Sequence, residues 1–133
     1  MILPNQCYIE LTQNCNLRCK HCFAAAKQCS KEIDLHDIKM IFSQLEDLGI
    51  YSVNLSGGEP VLNKNFFEIM EYVAKQPFEI TVLTNGMLWD QSMFDLFIKS
   101  VPQKNIKIQV SLDGDYNSMF QQRGICDSEY EKI

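Results

Sequence analysis

Four short apolar runs alternate with segments of helical period along this chain, and that alternation leaves few folds open to it. Cys7–Leu11, Tyr51–Leu55, Glu79–Leu83 and Ile106–Leu112 read as strands. Between the first two, Asp34 can cap a helix whose apolar residues Ile38, Ile41, Phe42, Leu45 and Leu48 recur at helical spacing, with Gly49 as its stop. A second helix is expected from Asn65 to Lys75, carrying Phe66, Ile69, Met70 and Val73 on one side and closed off by Pro77. A third, Asp90–Ser100, is expected to bury Met93, Phe94, Leu96 and Phe97, and Ser128 to cap a fourth near the end of the sequence. Strand and helix in this order imply a parallel sheet with right-handed crossovers. In such folds function collects at the carboxyl ends of the strands.

The first strand runs into Cys15-Asn16-Leu17-Arg18-Cys19-Lys20-His21-Cys22, a C-x3-C-x2-C run followed by Phe23. Three thiolates within eight residues can converge on one soft metal centre. Iron–sulfur clusters normally take four cysteines, so three without an obvious fourth suggest one iron left open, and open metal positions are where chemistry happens. Zinc with a histidine as fourth ligand is the alternative. His21, however, sits between two ligands, and His36 falls on the first helix. A disulfide framework fits less well: the sequence shows no basic start, long apolar run or small-residue cleavage site, so a cytoplasmic location is expected. Cys7, Cys29 and Cys126 lie outside the run and read as ordinary thiols.

With 46% hydrophobic and 22% charged residues, the composition is that of one globular domain. The net charge of −5 and the lack of a basic stripe argue against a nucleic-acid partner, and no apolar segment is long enough to span a bilayer. On the fourth strand Lys107, Gln109, Ser111 and Asp113 alternate with Ile106, Ile108, Val110 and Leu112. The polar set is expected to face inward and the apolar set to pack under helices. Asp113-Gly114 has the form of a hairpin turn, but Tyr116–Arg123 does not read as a returning strand.

Three further segments stand at strand ends: Ser56-Gly57-Gly58-Glu59-Pro60, Thr84-Asn85-Gly86 and Ser111-Leu112-Asp113-Gly114. Together with the cysteine run, in this order, they resemble the radical S-adenosylmethionine (radical SAM) superfamily, and within it the SPASM-type branch that modifies peptides and proteins. The resemblance spans Cys7 to the C-terminus. It implies an α/β chain of parallel βα repeats, the N-terminal four units of a partial (β/α)6 TIM-like barrel. Residues 1–133 would then be the N-terminal part of the radical SAM core, with further strands and any auxiliary-cluster region elsewhere.

The same resemblance implies that Cys15, Cys19 and Cys22 hold a [4Fe–4S] cluster whose open iron takes S-adenosylmethionine. Reductive cleavage would yield a 5′-deoxyadenosyl radical that abstracts hydrogen from a peptide or protein. Cofactor-binding roles are implied for Gly57, Gly58, Glu59 and Pro60 around the methionyl group and for His21 and Phe23 near the adenine. Ser111 and Arg123 complete that set, the arginine as a clamp on the cofactor carboxylate. No catalytic side chain is assigned. Asn85 is expected only to shape its turn, and Gly57→Val to spare the cluster while blocking the cofactor. A flavodoxin or ferredoxin is the expected electron donor. Sulfatase maturation (in which glutamine is usual where Ser56 stands here) and molybdenum-cofactor or haem-type biosynthesis are alternatives within the superfamily. A truncated, non-catalytic cluster-binding relative is the alternative outside enzymes.

Overall fold

The structure, a computed structural model, describes residues 4–24, 31–101 and 106–131. Cys29 lies outside them. Four strands, β1 (Gln6–Glu10), β2 (Ser52–Ser56), β3 (Glu79–Thr84) and β4 (Ile106–Val110), form one sheet in that order, every pairing parallel. Register is fixed by burial of alternate residues: Ile9, Val53 and Leu55, Ile80 and Val82 point into the core, so a one-residue slip would carry them all to the other face.

Helices α1 (Leu35–Asp47), α2 (Phe66–Val73) and α3 (Gln91–Ser100) cover that face. The Asp34 and Asp90 side chains accept from the backbone N–H groups of Asp37 and Met93, so Asp34 caps α1 as its sequence predicts, while Asp90, expected as the first residue of its helix, caps α3 instead. Ile38, Phe42 and Leu45 of α1 and Phe66, Ile69, Met70 and Val73 of α2 are buried. Leu48 is not: it is the C-terminal cap of α1, 58% exposed, past the last turn that touches the sheet.

On α3 only Phe97 is buried, while Phe94 and Leu96 are exposed. Trp89 packs beside Phe97, its ring 5.1 Å from that of Phe97 and 6.4 Å from that of Phe66, and Phe94 lies against it at 5.9 Å. Val110 and Leu112, expected beneath helices, are 40% and 57% exposed, because none of the described helices covers the end of β4.

Beyond β4 stands α4 (Tyr116–Arg123), which the hydrophobic pattern does not announce, since Met119 is its one buried residue. The Asp115 side chain caps it by accepting from Ser118 N–H, and Gly124 closes it with φ +71°. Ser128 lies within a short helix, α5 (Asp127–Tyr130), rather than ahead of one. Among the described residues no helix is long and apolar enough to cross a membrane.

Candidate cluster and cofactor site

β1 leads into the cysteine loop, which is closed at its neck. Ile33 N–H donates to Leu11 C=O at 3.0 Å, and the buried Asn63 amide donates to the carbonyls of both Leu11 (2.7 Å) and Ile33 (2.9 Å). Nothing in the sequence singled out Asn63, whose partners lie 30 and 52 positions away.

The two glycines after β2 dock directly on this loop. Gly58 N–H donates to Thr12 C=O at 2.8 Å and Glu59 N–H to Asn14 C=O at 2.7 Å. A Cβ on Gly57 would fall on the Thr12 carbonyl oxygen, and one on Gly58 on that of Asn14. Gly57 also has φ +134°, a conformation that residues with a Cβ rarely adopt. The bulk excluded here is therefore backbone packing against the cysteine loop. That corrects the expectation for Gly57→Val, which disturbs the cysteine loop itself as well as any cofactor beyond it.

Glu59 turns inward. Fully buried, its carboxylate accepts from the Thr84 hydroxyl and, at 2.9 Å, from Asn85 N–H. Burial pushes its pKa up, and those two hydrogen bonds partly offset the shift. The turn after β2 and the turn after β3 are thus joined through one side chain. Asn85 reaches on to the cysteine loop, its amide nitrogen 2.8 Å from Asn16 Oδ1 and 3.9 Å from Cys15 Sγ.

On the far side, Lys20 N–H donates to Gln122 C=O at 2.8 Å, tying the loop to the last turn of α4. Asp113 takes Arg123 bidentately, Nε–Oδ2 2.7 Å and Nη2–Oδ1 3.1 Å, and His21 Nε2 stands 3.4 Å from Asp113 Oδ2. The carboxylate that Arg123 grips in this structure is therefore a protein one. Hydrogen bonds from Arg123 hold the Asp113 carboxyl below its ordinary value of 3.8. The sign follows from linkage: the fold favours the carboxylate, so its contribution is present above that value and lost as pH falls through the lower folded-state one. The Tm difference between wild type and Asp113→Asn is expected to be full at pH 6 and to vanish in the pH range below the ordinary value, as read by thermal melts across pH.

A cavity of about 300 Å³ lies where these segments meet. Cys15, Cys19 and Cys22 line it, with His21 and the fully exposed Phe23. Gly57 and Gly58, Ser111 and Arg123 line it from the other strand ends. Glu59 and Pro60 do not; they are buried behind the turn. Tyr8, Glu10, Leu83 and Asn85 are lining residues that sequence reasoning missed, although Tyr8 and Glu10 flank the core residue Ile9 and so must face the opposite side of the sheet.

Burial pushes the Cys15 and Cys19 thiols up, a Leu17 N–H bond offsetting it at Cys15 and the Arg123 charge at Cys19. Among the described residues no three His, Cys, Asp or Glu side chains stand close enough to share one metal ion. Three thiols that border a common cavity without meeting at a point suit a cluster, in which each thiolate takes its own iron, better than a single zinc.

Residues 9–127 match the Radical SAM superfamily. The chain belongs to that superfamily. Radical SAM proteins work with a [4Fe–4S] cluster and S-adenosylmethionine, and the cysteine-lined cavity has the donors the cluster needs. The chain is 31% identical over 106 residues to the mycofactocin maturase MftC of Mycolicibacterium smegmatis, covering 79% of itself and 26% of that protein. With the antilisterial bacteriocin subtilosin biosynthesis protein AlbA of Bacillus subtilis the identity is 33% over 112 residues, covering 84% and 25%. Among solved structures, Streptococcus suis SuiB bound to its precursor peptide SuiA superposes with a TM-score of 0.81 at 25% identity, over 96% of this chain and 29% of that one. The chain thus spans about a quarter of the length of these relatives.

Proposed function

We propose that this chain is the cofactor-bearing part of a radical SAM enzyme that modifies a peptide. One observation carries the reading: loops from all four strand ends border a single cavity that holds the three cysteines and the glycine turn. When bound, the cluster and S-adenosylmethionine supply a 5′-deoxyadenosyl radical that removes hydrogen from an unactivated C–H bond. The protein's own part is placement. Cys15, Cys19 and Cys22 would hold the cluster, the Gly57–Gly58 turn packs backbone against the loop that carries them, and Ser111 and Arg123 border the same cavity.

A peptide as substrate is supported by a solved neighbour bound to its precursor peptide, and fits relatives named as a mycofactocin maturase and a bacteriocin biosynthesis protein. The four βα units are the first of a partial barrel of six, and the exposed Val110 and Leu112 at β4 are where a fifth would pack. A small flavodoxin- or ferredoxin-type protein in the cytoplasm delivers the electron.

Electron paramagnetic resonance on anaerobically reconstituted, dithionite-reduced protein tests the core of this. A [4Fe–4S] signal that changes when S-adenosylmethionine is added is the expected result. A signal indifferent to it would sink the open-iron assignment.

A further inference from the structure

Asn85 was expected to do no more than shape a turn. It is 7% exposed, and four hydrogen bonds fix it. Its N–H donates to Glu59 Oε2 at 2.9 Å, and its side-chain oxygen accepts from Met87 N–H at 2.9 Å. Because the oxygen is committed to an N–H, the NH2 group must point the other way; a flipped amide would set donor against donor. The other way leads to Asn16 Oδ1 at 2.8 Å and Cys15 Sγ at 3.9 Å. Cys15 Sγ also accepts from Leu17 N–H at 3.4 Å.

A donor held against a cluster thiolate is not neutral toward electron transfer. Hydrogen bonds to ligand sulfurs are one of the protein's means of setting a cluster's potential. The added electron makes the cluster more negative, a donor at the sulfur stabilises that charge, and the potential rises. We propose that Asn85 sets the reduction potential of the cluster as a side-chain donor to Cys15. This rests on the three cysteines holding the cluster. Asn85 is a positioning residue in the sense that it acts on the cluster through its ligand and touches neither substrate nor reacting atoms.

The test is a redox titration of the reconstituted full chain, without S-adenosylmethionine, followed by the reduced-cluster resonance, for wild type, Asn85→Leu and Asn85→Asp. Aspartate keeps an oxygen for Met87 N–H while removing the donor and adding charge. Both variants are expected to hold wild-type iron and to be about tenfold less reduced at a given solution potential, a shift of about 59 mV downward for a one-electron couple. The shift should be larger for aspartate. Unchanged midpoints at full iron would overturn the proposal. So would loss of iron from both variants, which would make Asn85 a builder of the loop only. Failure of wild type itself to take up a cluster would instead bring down the functional reading beneath.

Discussion

Gly58→Ala is expected to lower the stability of this chain by about 3–5 kcal/mol, and to lower its iron content on reconstitution with it. The added methyl group has nowhere to go, because the site of its carbon is occupied by the carbonyl of Asn14, which is backbone and cannot rotate aside. Overpacking of this kind costs about 1–3 kcal/mol. The displacement also breaks the hydrogen bonds from Gly58 to Thr12 and from Glu59 to Asn14, worth about 1 kcal/mol each. A loss of that size is a large part of the 5–15 kcal/mol that typically holds a domain together. Gly49→Ala gives the contrast. There φ is +71° but a Cβ meets nothing, so only the backbone penalty of about 1–2 kcal/mol applies. Urea titration of the two variants, with iron analysis after reconstitution, checks the ordering; a milder effect at Gly58 than at Gly49 would refute the packing account.

The second large effect is chemical rather than mechanical. Alanine at Cys15, Cys19 or Cys22, singly, is expected to abolish cluster assembly, with iron and sulfide falling to background. In the proposed site each thiolate would hold a different iron, and two ligands would leave half the cluster to solvent and oxidants. The fold should survive, since all three cysteines border a cavity and are only half-buried. Cys7→Ala and Cys126→Ala are the controls, and both should keep full iron. Cluster retained in any of the three cavity variants, or lost in Cys126→Ala, would reassign the ligands.

What could be read from the residues alone follows a physical line. α1 and α2 press apolar stripes against a sheet, so periodicity reveals them. α4 buries Met119 and little else, so it leaves no stripe; its marks are Asp115 and Gly124, a cap and a stop with no pattern between them. The cysteine loop and the strand-end turns were visible because their chemistry is written in consecutive residues. Asn63 was not, nor were the buried partners of Glu59 and Asn85, because each works through groups 25 or more positions away, and a polar residue looks the same in sequence whether it faces water or a buried carbonyl. Arg123 is the reverse case: its type was legible, but its ion pair with Asp113, ten positions away, was not.

The closed neck at Leu11 and Ile33 makes the segment between them a detour rather than a link. The sheet and α1 are joined across the neck, whatever length of chain leaves and returns there. Lengthening such an excursion costs little, about 0.6 kcal/mol for each doubling. The spacing of the cysteines and the residues around them can therefore change without re-registering a single strand, so one parallel sheet can carry differently shaped cysteine loops.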